Sequence, residues 1–317
     1  MTPAYCATAV QASLWIPEQI WKAFVKAHPS LSALPFRNLC AQVKFAPAFD
    51  AVTRGTKQIV WIFDQDRTVS VPAGPHNYQK HLVLHPRFPQ ILDIFIEKGG
   101  VYIPSSARSI EELEGVYDVE KYRIAKSGND GWHIRGPDGA DVFFNEQKPD
   151  YGVLRKEVAE FIEGMKDVEM NEMEAYFQLL VDDTNPLRDE CESFFCGKGG
   201  EVEARSGGLS MVVKNQSDCL SMEPKDNRGK ADAINVLLPM IDAEDAYVIV
   251  AGDGANDVDA LEKAKREGHM AVWINKGGKT GVPDHATHAV NSVDEFMAVV
   301  ERIVERMPKE KKQCGLQ

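Results

Sequence analysis

The residues of this chain best suited to chemistry stand at the ends of three apolar runs. Asp64 and Asp66 close Ile59-Val60-Trp61-Ile62-Phe63, with Thr68 two residues on; Ser106 follows Val101 to Pro104; Asp253 and Asp257 follow Tyr247 to Ala251. Runs of this kind, ending in polar turns, predict buried strands of a parallel sheet whose carboxyl ends share one crevice. Carboxylates brought close together repel and stay ionised only around a cation, so the predicted convergence calls for a hard divalent ion with oxygen ligands. Mg2+ is the expected ion.

The rest of the chain reads as the frame for those strand ends. A polar loop from Ser70 to Pro86 carries His76, His81 and His85, whose spacing fits no common metal site. A helix is predicted over Phe88 to Glu97, stopped by Gly99-Gly100, and the strand Val101 to Pro104 completes a βαβ unit. Between Tyr122 and Phe144, the NDG and PDG turns separate short apolar pieces, as in a meander. Lys148 to Gly164 reads as an exposed helix; Tyr176 to Val181 and Leu209 to Val213 read as strands, with CGKGG and RSGG breaking the chain between them. The α/β pattern resumes with helices at Ala231 to Ile241, Val258 to Arg266 and Val293 to Met307, and strands at Tyr247 to Ala251, Ala271 to Ile274 and His288 to Asn291.

The predicted fold class is α/β: a Rossmann-like parallel-sheet core with an inserted smaller α+β cap. The expected division is a helical extension over 1–55, the first part of the core over 56–150, the cap over 151–222 and the second part of the core over 223–317. Trp15, Ile16, Ile20, Trp21, Phe24 and Val25 recur at helical spacing in the extension. Such a stripe packs on the following domain or forms a homo-oligomer contact.

A net charge of -12 argues against a nucleic-acid backbone or an anionic membrane as partner and leaves a small molecule as the expected one. A phosphorylated substrate would need a metal ion or one or two placed cations. The six cysteines are scattered without a paired spacing, which points to reduced thiols in a cytoplasmic protein. The first residues lack a basic segment ahead of an apolar stretch, as a secretory signal has, and no run is long enough to span a bilayer.

The order D-Q-D-R-T, S-A-R, N-R-G-K, G-D-G-A-N-D resembles the haloacid dehalogenase-like phosphohydrolases over nearly all of Gln58 to Met307. The resemblance implies Asp64 as a nucleophile that becomes an aspartyl phosphate. It implies Asp66 as acid for the leaving alcohol and then base for water, with its backbone carbonyl on the metal. Thr68 would steady the loop, Ser106 would bond a phosphoryl oxygen, and Asp253 with Asp257 would complete a metal site that includes Asp64 and Asp66. Arg108 and Asn256 join the substrate and phosphate contacts. The phosphate cation is Arg228, Lys230 or Lys225, since Arg228 stands where the family has lysine and a guanidinium fork is no substitute for a point charge. Arg67 departs from the common glycine after the second aspartate.

An insert between the second and third motifs is similar to that of the sugar-phosphatase branch. S-A-R, N-D-G-W-H-I-R, S-M-E-P and R-G-K-A are similar in order to trehalose-6-phosphate phosphatases. The implied substrate is a phosphorylated sugar, trehalose 6-phosphate first, with Glu169, Glu172 and Glu174 as hydroxyl contacts or as a solvated acidic face. The sucrose-phosphate-like and Cof-like phosphatases, and a catalytically weak scaffold that binds through cap and N-terminal helices, stand as alternatives.

Overall fold

The computed structural model describes residues 58–71, 82–122, 124–144, 149–172, 176–215, 219–225, 229–275 and 281–307. The expectations for 1–55, His76, His81, Glu174 and Arg228 lie outside the described residues. The described residues open with β1 (Ile59–Phe63), α1 (Phe88–Glu97) and β2 (Val101–Pro104), followed by the short helices α2 (Ile110–Glu114) and α3 (Val119–Tyr122). A meander follows: β3 (Lys126–Gly128), β4 (His133–Arg135) and β5 (Asp141–Phe143). Next come α4 (Gly152–Phe161), β6 (Glu169–Glu172), β7 (Phe177–Leu180), α5 (Arg188–Arg205), β8 (Met211–Asn215) and β9 (Cys219–Pro224). The chain then builds α6 (Gly229–Met240), β10 (Tyr247–Gly252), α7 (Val258–Arg266), β11 (Met270–Ile274), β12 (His288–Val290) and α8 (Val293–Arg306).

The main sheet is parallel in the order β12-β11-β10-β1-β2. β1 is buried along its whole length because it is flanked on both sides and covered on both faces, the setting that favours an unbroken apolar run. Ile59, Trp61 and Phe63 face a core shared with Phe88, Phe95, Phe296 and Val300 of α1 and α8. Val60 and Ile62 face the opposite core, with Ile234 and Leu237 of α6 and Leu261 of α7. Each large apolar side chain so buried contributes roughly 1.5–3 kcal/mol.

From β1 the chain moves outward to β2, and from β10 it moves the other way to β11. The crevice between β1 and β10 is therefore the topological switch point, where open α/β sheets place their ligands.

A separate antiparallel sheet, β6-β7-β9-β8, packs one face on α4 and α5 around Leu154, Val158, Phe177, Leu179, Phe195 and Met222. Here one expectation is corrected: CGKGG does not break the chain but lies within the eighteen-residue α5. Arg188, Cys191, Phe195 and Val202 recur on one buried face, and tertiary packing of that face outweighs the roughly 1 kcal/mol that each glycine costs a helix. In this sheet two strands begin later than expected, β8 at Met211 rather than Leu209 and β7 at Phe177 rather than Tyr176, and in the main sheet β10, β11 and β12 each differ from their expected bounds by one residue. The Tyr176 hydroxyl reaches the Ala107 carbonyl and so ties this unit to the loop after β2.

Candidate active site

Asp64 is held where β1 ends: its N–H donates to the Ala251 carbonyl at 2.9 Å, carrying the ladder to β10 one residue past the strand. The next strand is fixed in the same manner, Ser105 N–H donating to Phe63 O at 2.9 Å. Asp253 and Asp257 follow β10. The Asp257 Oδ2 accepts from the N–H groups of Asp253 (3.0 Å) and Gly254 (2.9 Å), which folds the turn back on its own strand. A β-carbon on Gly252 would overlap the Asp257 side chain, so the absent side chain makes this fold-back possible. Lys230, in the first turn of α6, brings its ammonium to the same place, 2.6 Å from Asp64 Oδ1 and 2.7 Å from Asp257 Oδ1.

Carboxylate oxygens of Asp64, Asp253 and Asp257, all buried, lie within 4.8 Å of one another. Burial pushes the Asp64 carboxyl well above its usual range; Lys230 opposes that push, and the neighbouring Asp257, Asp253 and Asp66 add to it. Burial alone would lower the Lys230 ammonium, but Asp257, Asp64 and Asp130 outweigh it and hold the group well above its ordinary value. A single ammonium does not balance this many carboxylates. An all-oxygen, carboxylate-rich donor set of this kind fits a hard divalent cation.

Asp66 stands apart from that triad. Its two carboxylate oxygens accept from Arg108, Nε to Oδ2 and Nη2 to Oδ1, both at 2.8 Å. Arg108 is buried and also donates to Glu112 Oε1 at 3.3 Å, so its guanidinium is engaged by two carboxylates. Glu112 is itself fixed by a capping box with Ser109. The pattern Ser109-Ile110-Glu111-Glu112 is the signal in the sequence that would have placed this clamp.

The remaining predicted residues are placed as follows. Ser106 Oγ accepts from Arg108 N–H at 3.1 Å. Thr68 is fully buried, its N–H directed to Gln65 O at 3.3 Å. Arg67 occupies the left-handed region with φ of 59°, the conformation glycine adopts without cost, and its N–H donates to Ser70 Oγ at 3.0 Å. Of the three candidate cations, Lys230 is at Asp64, Lys225 is exposed, and Arg228 lies outside the described residues. Glu169 is exposed on β6.

Two groups escaped the sequence reading. Gln65, between the two aspartates, is buried and bonded to Phe63 O (2.7 Å), Tyr102 and Tyr117, and the two hydroxyls meet at 2.9 Å. Asp130, in the turn that precedes β4, places Oδ1 2.8 Å from Asn256 Nδ2 and 3.7 Å from Lys230 Nζ. Burial pushes its carboxyl up, with Lys230 and Asn256 pulling it down. The Asn-Asp-Gly sequence shows a turn but not what the turn faces.

A parallel sheet with buried aspartates at its switch point, and an antiparallel unit inserted between its halves, defines a hydrolase of the aspartate-centred α/β class. The chain belongs to the haloacid dehalogenase-like hydrolases, whose family model matches residues 106–303. That stretch begins at Ser106, and β1 with Asp64, outside it, joins it through the parallel pairing to β10. Among curated proteins none matches the chain in sequence. Solved structures share the fold. The C-terminal domain of a trehalose-6-phosphate phosphatase from C. albicans is 12% identical, with a TM-score of 0.64 over 82% of this chain and 96% of that one. A trehalose-6-phosphate phosphatase related protein is 14% identical, with a TM-score of 0.57 over 78% and 97%. A trehalose-6-phosphate phosphatase from Aspergillus fumigatus is 18% identical, with a TM-score of 0.53 over 83% and 97%. No helix among the described residues is long and apolar enough to cross a membrane.

Proposed function

We propose that the chain is a Mg2+-dependent phosphomonoester hydrolase acting on a phosphorylated sugar, trehalose 6-phosphate first, in the cytoplasm. The observation that carries this reading is Asp64, a carboxylate fixed at the end of β1 within a buried cluster that includes Lys230. Asp64 attacks phosphorus and the bond to the leaving oxygen breaks, which leaves an aspartyl phosphate. Asp66, once it turns from Arg108 and carries a proton, gives that proton to the departing alkoxide. It then takes one from the water that attacks phosphorus, inorganic phosphate leaves, and Asp64 is restored. Lys230 offsets the charge that builds on the transferring group. Mg2+, held by Asp64, Asp253 and Asp257, would supply the remaining neutralisation between an anionic nucleophile and an anionic ester.

The reading of the leaving group draws on the four-stranded sheet. Asn171, Gln178, Ser221 and Lys214 stand in one row across it, and Glu169 and Glu223 share their face by the two-residue period. Asn171 Nδ2 donates to Gln178 Oε1 at 3.0 Å and Lys214 pairs with Glu223 at 2.7 Å. A face so rich in donors and acceptors suits a polyhydroxylated molecule. The likeness in fold to trehalose-6-phosphate phosphatases supports the same substrate class.

The test is phosphate release from a panel of sugar phosphates with and without Mg2+, beside Asp64→Asn. Turnover that requires the metal and disappears in the variant is expected. Turnover of no ester, or an active Asp64→Asn, sinks the reading.

A further inference from the structure

Asn129, Asp130 and Gly131 carry φ of 49°, 54° and 93° in succession. Left-handed backbone at a residue other than glycine costs on the order of 1–3 kcal/mol and persists where the surroundings force it. Here they do. Asn129 N–H donates to Arg108 O at 2.8 Å, Asp130 N–H donates to Ser106 O at 2.9 Å, and a side chain on Gly131 would meet the Gly229 backbone at the start of α6. The turn is thus wedged between the loop after β2 and the helix that carries Lys230. Its one acidic side chain reaches Lys230 and Asn256.

We propose that Asp130 is a positioning residue that holds the Lys230 ammonium and the Asn256 amide toward the transferring phosphoryl group, an inference that rests on the phosphatase reading. The other partners of Lys230 are Asp64 and Asp257. A divalent cation would share the charge of both carboxylates, and bonding of Asp64 to phosphorus would neutralise one of them, so their hold on the ammonium would weaken. Asp130 lies outside the triad, so its contact with Lys230 would not be shared with a cation. For Asn256 the effect is orientation: with one amide hydrogen given to Asp130, the carbonyl oxygen and the second hydrogen are presented in a single sense.

Asp130→Asn and Asp130→Gly test this, since both residues accept left-handed backbone and preserve the turn. Asn keeps an oxygen for Asn256 without the charge; Gly keeps neither. With p-nitrophenyl phosphate and Mg2+, kcat should fall about tenfold in Asp130→Asn, which loses the ion pair with Lys230, and about a hundredfold in Asp130→Gly, which also loses the hydrogen bond from Asn256. KM should stay within about threefold, while binding of orthovanadate, which mimics the transferring group, weakens in step with kcat. A purely structural role would lower the melting temperature and leave kcat per folded molecule and vanadate affinity alone. A folded Asp130→Gly with the parent's kcat and vanadate affinity overturns the inference and leaves the phosphatase reading standing. A parent that turns over no ester and binds no vanadate overturns both.

Discussion

Arg108 grips Asp66 by two parallel hydrogen bonds of 2.8 Å while its own side chain is only 2% exposed. A guanidinium has donors only, so in this pair both carboxylate oxygens of Asp66 act as acceptors. That state suits a base, and an acid role requires the pair to open first. Removing one partner of a buried pair costs 3–5 kcal/mol, and the 28% exposure of Asp66 sets the expectation for Arg108→Gln at the low end, about 3 kcal/mol. Denaturant unfolding measures it; a loss below about 1 kcal/mol, the level of a surface pair, counts against the clamp.

Metal binding should separate the aspartates. At a Mg2+ concentration a hundred times its Kd, the parent gains about 2.7 kcal/mol of stability by mass action. Asp253→Asn should abolish the gain, because it removes one of the three converging carboxylates. Asp66→Asn should retain most of it, since the Asp66 carboxylate is committed to Arg108. Thermal melting with and without Mg2+ decides this, and equal losses in the two variants would refute the triad.

Tyr117, whose hydroxyl donates to Gln65 between the two aspartates, gives a pH dependence of its own. Burial, with Tyr102 beside it, pushes the Tyr117 phenol well above its ordinary value. Above about pH 10 the unfolded chain releases this proton and the folded chain does not. The stability contribution is therefore complete below about pH 10 and is lost as pH rises toward the folded value, at up to about 1.4 kcal/mol per pH unit. Between about pH 9 and about pH 11, Tyr117→Phe should lose about 1 kcal/mol less than the parent in urea unfolding. An identical pH dependence contradicts the assignment.

Arg67 should behave as a backbone position. Glycine relieves the strain of φ at 59° but adds freedom to the unfolded chain, and these effects offset each other. Arg67→Gly is expected within about 0.5 kcal/mol of the parent, and Arg67→Val, β-branched at positive φ, more than about 1 kcal/mol below it. Calorimetric melting checks both. A Val variant as stable as the parent would mean that the turn adopts another conformation.

The sequence made the main sheet readable because its strands are nearly unbroken apolar runs that end in polar turns. Asp64, Asp253 and Asp257 could be paired in advance because each follows such a run. Asp130 could not, since its turn belongs to a meander and only packing against α6 directs it to Lys230. The S-A-R motif puts Arg108 among the expected phosphate contacts; its burial beside Asp66 and Glu112 is a tertiary fact. The glycines of α5 looked like breakers because the apolar face that holds the helix is sparse, with Cys191, Phe195 and Val202 spread along its length.

Gly252 and the glycines of α5 mark opposite ends of what this chain tolerates. Side chains at 197, 199 and 200 would point into open space, so those positions are free to drift over generations and even to gain helix stability. At 252 a single methyl displaces Asp257, and with it the partner of Lys230 and the acceptor for two backbone amides. Mutation can explore those three positions of the long helix at will, whereas the last residue of β10 has no neighbour in sequence space that leaves the site assembled.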